Sequence, residues 1–162
     1  MGNRRDIRRL AMQLLYRMDM AGEADRQSLL EELDEEERAA PSQRVQAVDL
    51  ALEAWRRRAE ADAAVAQLAP DWPTHRQPPI DRALLRLAYH EIASGRTPAK
   101  VAINEAVELA KRYASEHSPA FINGVLDKVA KRLSQAKPAS PESSQEPGED
   151  DPWLRDAMDR QD

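Results

Sequence analysis

Apolar residues recur along this chain at the three- and four-residue spacing of helices that bury one face. The clearest example is residues 3–20, where one apolar stripe is expected to face a core. The stripe consists of Ile7, Leu10, Ala11, Leu14, Leu15 and Met18. Asn3 is expected to cap this helix, with Asp6 three residues later as its capping partner. The pattern therefore predicts an N-terminal amphipathic helix.

The same periodicity predicts five further helices. They cover residues 27–39, a long segment from about residue 42, and residues 80–94, 97–116 and 118–133. The long helix is predicted to bury Val45, Val48, Leu52, Trp55, Ala59, Ala63 and Ala66. Thr97 is expected to cap the fifth helix, and Gly124 to permit a close helix crossing in the sixth. Residues 70–79 contain four prolines and are predicted to form a loop.

These elements predict an all-α protein, a compact helical bundle spanning residues 1–137. Residues 138–162 are rich in Pro, Ser, Glu and Asp, and are expected to form a disordered acidic tail. Length agrees with a single domain, because 162 residues are too few for two catalytic domains. The absence of Cys and of any long apolar run predicts a cytoplasmic protein without disulfides.

Charge is unevenly distributed. The net charge is −5, yet residues 1–17 carry five Arg and one Asp, whereas residues 138–162 carry eight acids and two Arg. This asymmetry predicts an anionic partner near the N-terminus. One hypothesis for the tail is that its acidic run competes with this anionic partner for the arginines. The alternative of a merely solubilising tail is favoured by composition.

Known catalytic patterns are missing from the sequence. It has no Gly-rich phosphate loop, no metalloprotease or hydrolase motif and no Cys nucleophile. The histidines, His75, His90 and His117, lack the spacing of metal ligands. Glu105 and Glu108 are interpreted as ordinary helix pairs with Lys111 and Arg112. We therefore expect no enzymatic activity, no cofactor and no metal site.

Two features of the first helix indicate binding. Its first turns carry Arg4, Arg5, Arg8 and Arg9, although a helix N-terminus disfavours cations, and guanidinium groups suit phosphate. A second apolar face is formed by Met12, Tyr16 and Met20, which indicates either a partner surface or internal packing between two sub-bundles. In the sixth helix, Phe121 lies near Lys128 and could stack on an unpaired base, or pack in the core.

Three segments resemble a known family. The long segment KVAINEAVELAKRYASEHSPAFINGVLDKVAK at residues 100–131 resembles the C-terminal signature of NusB proteins. The segment DRALLRLAYHEI at residues 81–92 and the arginine-rich first helix are also similar to that family. The resemblance spans residues 4–133 and misses the tail.

The resemblance implies two packed helical sub-bundles and an RNA-binding transcription antitermination factor without catalysis. It implies binding to boxA-like single-stranded RNA of rRNA leaders, together with NusE, a ribosomal small-subunit protein, within an RNA polymerase antitermination complex. It places Arg4, Arg5, Arg8, Arg9, Lys100 and Phe121 at the RNA, and Tyr16 and Asp81 at NusE. Lys128, near Phe121, is predicted to join the RNA surface, and Met12 and Met20, on the same face as Tyr16, to join the NusE surface.

Other interpretations remain open at this point. The chain could be a protein adaptor that does not bind RNA, or a regulatory domain acting with an rRNA cytosine methyltransferase. The sequence has no Gly-rich strand–helix unit for the cofactor of such an enzyme. A homodimer is also possible, because the first helix has two apolar faces.

Overall fold

The computed structural model describes residues 4–34 and 39–136, which form seven α-helices and no strand. The helices are α1 (Arg4–Ala21), α2 (Arg26–Leu33), α3 (Pro41–Arg56), α4 (Arg58–Leu68), α5 (Pro79–Ala93), α6 (Ala99–Tyr113) and α7 (Ser118–Ala136). The predicted all-α class is confirmed. The expected cap Asn3 and the acidic tail lie outside the described residues.

The first helix follows its sequence pattern closely. Every residue of the predicted stripe is buried, from Ile7 to Met18. α1 ends before Gly22, which has φ 100°, a conformation that glycine adopts without strain. The Gly22 N–H donates to the Met18 carbonyl at 2.9 Å and so closes the last turn of α1. Asp25 is the N-cap of α2, and its carboxylate accepts from the Ser28 N–H at 2.8 Å.

The prediction of one long third helix is wrong, because the helix is interrupted at Arg57, between α3 and α4. Arg57 has φ −91° and ψ 0°, the bridge region between helix and extended backbone. Arg58 then stacks its guanidinium on the Trp55 ring at 4.0 Å and donates to the Trp55 carbonyl at 2.8 Å. Val48 and Trp55 of the predicted stripe are buried in α3, whereas in α4 the buried residues are Ala61 and Val65. The exposed members of that stripe are Val45, Ala59, Ala63 and Ala66.

α5 is the central helix of the bundle. It packs on α1 and α3 on one side and on α6 and α7 on the other, and α4 contacts both α5 and α7. α1 and α2 pack on α3, while α6 packs on α7. The result is two sub-bundles joined through α5, as the resemblance implied. α6 and α7 are joined by a short connection, so they are antiparallel neighbours.

Polar residues on α5 are buried and paired. His90 Nδ1 accepts from Arg57 Nε at 3.2 Å, and its Nε2 bonds to a Glu53 carboxylate oxygen at 3.1 Å. Arg86 binds Asp62 at 2.7 Å and Asp19 at 3.3 Å. These contacts satisfy groups that would be costly to bury alone. They also attach α1, α3 and α4 to the central helix.

Candidate RNA and partner surfaces

The N-terminal arginines divide into two groups. Arg4 and Arg5 are exposed and Arg9 is partly exposed on the first turns of α1. Arg8, in contrast, is buried and donates to the buried carboxylate of Glu91 through Nε at 2.9 Å and Nη2 at 2.9 Å. A side chain held this way is unavailable to a phosphate at the surface. Arg8 is therefore a structural residue here, in contrast to the role expected from the sequence.

The same carboxylate binds Thr97 in the turn between α5 and α6. Thr97 Oγ1 donates to Glu91 Oε2 at 2.6 Å. The expected capping role of Thr97 is wrong, because α6 begins one residue later than predicted, at Ala99, with Pro98 as the N-cap. The buried Arg8–Glu91–Thr97 cluster thus fixes the start of α1 against the start of α6.

An open cleft of about 290 Å³ lies above this cluster. The exposed Arg4 and Arg96 line it, together with Thr97 and the ion-paired Arg8 and Glu91. Arg96 was missed by the sequence reasoning, although it lies only four residues before Lys100, in the connection between α5 and α6. It contacts Glu53 at 3.4 Å. Two exposed arginines from distant segments therefore meet at one polar cleft.

Lys100 is exposed on the first turn of α6, at the same end of the bundle as this cleft. Phe121 is on the first turn of α7, next to the opposite end of α6. The two are separated by roughly the 20 Å length of α6, at 1.5 Å per helical residue. The structure therefore brings Lys100, but not Phe121, close to the arginines.

Phe121 is half-buried and packs edge to face on Trp72, with an angle of 82° between the rings. Lys128 is exposed two turns further along α7. Between them, Gly124 is also exposed, and no atom lies within 4 Å of the place where its Cβ would be. The expected helix crossing at Gly124 is wrong. The open backbone beside a partly exposed ring instead leaves room for an external group.

Only two of the three residues that were predicted to form a partner surface on α1 are exposed. Tyr16 is 40% exposed and Met20 is 51% exposed, whereas Met12 is 1% exposed and belongs to the core. α1 packs on both α3 and α5, which buries a second side of the helix at Met12. Internal packing, the alternative left open above, is thus correct for Met12. Asp19, between the two exposed residues, accepts from Arg82 Nε at 2.7 Å and holds this turn on α5.

Asp81 is fully buried at the start of α5, contrary to a role in direct partner contact. Ser118 Oγ lies 2.8 Å from Oδ1 and 2.9 Å from Oδ2 of its carboxylate, and Ser115 Oγ lies 2.8 Å from the same hydroxyl. Burial raises the pKa of Asp81, and the Ser118 hydrogen bond offsets part of that shift. Asp81 therefore joins the starts of α5 and α7 inside the protein.

Comparison with known proteins identifies the family. The model of the NusB family matches residues 5–131. The chain belongs to the NusB family. The match includes every candidate residue except Arg4. The transcription antitermination protein NusB of Geobacter sulfurreducens is 43% identical over 136 residues, covering 82% of this chain and 97% of that protein.

Solved NusB structures share the fold. NusB from T. maritima has a TM-score of 0.71 at 30% identity, covering 80% of this chain and 91% of that chain. A crystal structure of antitermination factors NusB and NusE in complex with dsRNA has a TM-score of 0.70 at 27% identity. That match covers 80% of this chain and 96% of the other.

Within residues 4–34 and 39–136, no group of three or more His, Asp or Glu side chains could hold a metal ion. No helix in the same ranges is long and apolar enough to cross a membrane.

Proposed function

We propose that this chain is a non-catalytic, RNA-binding transcription antitermination factor that acts with NusE. Its ligand would be single-stranded, boxA-like RNA of rRNA leaders, within an RNA polymerase antitermination complex. Membership of the NusB family supports this function, as does the likeness to a NusB–NusE pair bound to RNA. The observation that carries it is the cleft that joins Arg4 to Arg96, which lies four residues before the exposed Lys100.

The cations and the aromatic side chain would have different tasks. Arg4, Arg9, Lys100 and Arg96 would hold phosphates, which position a strand without reading its sequence. At the other end of α6 and α7, Phe121 would stack on an unpaired base, with Lys128 close to the backbone. An RNA strand would therefore follow the length of the α6–α7 pair.

A salt series with boxA-like RNA tests the phosphate contacts. The double variant Arg4→Ala/Lys100→Ala should lower the slope of log affinity against log salt by about 1.4, at about 0.7 per contact on single strands. The control is Arg26→Ala/Arg56→Ala, which removes two exposed arginines on α2 and α3. Equal slopes for the two double variants would contradict the proposed surface.

Tyr16 and Met20 favour a second function, that of a protein adaptor. Two large exposed side chains one turn apart, on a turn held by Asp19 and Arg82, form a rigid surface for NusE or for a second copy of the chain. RNA binding by the purified chain without NusE separates the two functions. A pure adaptor would bind RNA only when NusE is present.

A further inference from the structure

Arg5 is held by a carboxylate from another helix. It donates from Nε to Glu105 Oε2 at 2.8 Å and from Nη2 to Glu105 Oε1 at 3.0 Å. The Arg5 side chain is 43% exposed, whereas that of Glu105 is 15% exposed. The cation thus stands at the surface and the acid lies beneath it. This two-pronged geometry is also the one that a guanidinium uses to bind phosphate.

Glu105 is fixed in place by its helix. Its neighbours on α6, Ala102 and Ala106, are buried, and α6 packs on α5 and α7. Hydrogen bonds from Arg5 and the charge of the buried Arg8 lower the pKa of Glu105. The acid is therefore charged at neutral pH and cannot easily move away from Arg5. The sequence reasoning had paired it with cations on its own helix.

We infer that Glu105 lowers the affinity of this chain for RNA, because it occupies the donors with which Arg5 would bind a phosphate. The inference rests on the RNA-binding function proposed above. Binding to RNA is strengthened by each cation that neutralises a phosphate and so releases a counterion. A cation that is already neutralised by a carboxylate adds little to this term. Glu105 thus sets the RNA affinity below what the number of arginines suggests.

Glu105→Gln tests the inference, because it removes the charge and keeps the size of the side chain. One additional phosphate contact should steepen the salt dependence by about 0.7. If affinities converge near 1 M salt, this slope gives a gain of about 8-fold at 0.05 M and about 3-fold at 0.2 M. The measurement is binding of full-length protein to boxA-like single-stranded RNA, with thermal unfolding as a check on folding.

Glu108→Gln is the matched control. It removes the same charge one turn further along α6, where Glu108 binds Lys111 at 3.0 Å. The charge of Glu108 also raises the pKa of Arg5, but less than the hydrogen-bonded Glu105 does. Glu108→Gln should therefore raise affinity slightly and change the slope less than Glu105→Gln. In an Arg5→Ala background, Glu105→Gln should no longer steepen the slope. That result would tie the gain to Arg5.

Two outcomes would overturn the inference while leaving the proposed function standing. Weaker RNA binding by Glu105→Gln would mean that the carboxylate orients Arg5 toward RNA. An unchanged slope would mean that Arg5 does not meet a phosphate even when released. Absence of salt-dependent RNA binding by the unmodified chain is a different result, since it would overturn the RNA-binding function itself.

Discussion

Replacing Arg8 by Ala separates a structural arginine from an RNA-binding one. Arg8 is 7% exposed and binds both oxygens of the Glu91 carboxylate. Removing the guanidinium leaves that carboxylate buried with Thr97 Oγ1 as its remaining hydrogen-bond partner among the described residues. We therefore expect the main effect of Arg8→Ala on the free energy of unfolding, with any loss of RNA binding following from it.

The size of the effect follows from burial. Removing one partner of a buried ion pair costs about 3–5 kcal/mol, because the remaining charge is left uncompensated. That is a large part of the roughly 5–15 kcal/mol that stabilises a typical domain. At about 4 °C per kcal/mol for a domain of this size, the melting temperature should fall by about 12–20 °C.

Urea denaturation followed by far-ultraviolet circular dichroism measures this cost. The double variant Arg8→Leu/Glu91→Leu removes both charges and should recover much of the lost stability, because the penalty comes from one unpaired charge. Glu108→Gln at an exposed pair should change stability by at most about 1 kcal/mol. If Arg8→Ala unfolds like the unmodified chain and weakens RNA binding as Arg4→Ala does, Arg8 is a surface residue and the reasoning fails.

Two further results are expected. Met12→Ala should lower the free energy of unfolding by about 2–5 kcal/mol, because it opens a cavity in the core. Tyr16→Ala should leave the free energy of unfolding nearly unchanged and weaken NusE binding in calorimetry. A larger loss of stability for Tyr16→Ala than for Met12→Ala would contradict the assignment of Met12 to the core and Tyr16 to the surface. Burial lowers the pKa of His90 below 6.5, so the unfolded chain binds more protons than the folded chain as the pH falls below 6.5. This site should therefore destabilise the fold by up to about 1.4 kcal/mol per pH unit below that value, and His90→Gln should flatten the dependence in urea denaturation at pH 7.5 and 5.5.

The sequence predicted a helix or its end well where the residues of that segment alone determine it. The stripe of α1 was predicted residue by residue, because one face of that helix meets a continuous core. Gly95, with φ 73°, follows the end of α5, and Pro98 immediately precedes α6. Such residues mark helix ends through their own backbone limits, so no knowledge of neighbouring helices is needed.

The break at Arg57 could not be predicted in the same way. No Gly or Pro lies near it, and the surrounding residues favour helix. The break is accompanied by tertiary contacts: Arg57 reaches His90 on α5, and Arg58 stacks on Trp55. The predicted stripe of α4 was wrong as well, because Ala59, Ala63 and Ala66 are exposed and Ala61 and Val65 are buried in their place.

Site residues were hardest to predict where a charge is paired inside the protein. Counting arginines cannot distinguish Arg8 from Arg4, because the partner of Arg8 lies 83 residues away on α5. A signal was nevertheless present in α5 itself. Its apolar residues, among them Ile80, Leu84, Leu85 and Ile92, fall on all sides of the helix. In the structure eleven of its fifteen residues are buried, four of them polar or charged. A helix that is apolar on all sides must be surrounded by protein, so each polar residue in it requires a partner from another helix. By this rule Asp81 needs a partner inside the protein and does not belong to the partner surface. Glu91 needs a buried cation, and the arginine-rich first helix is able to supply it.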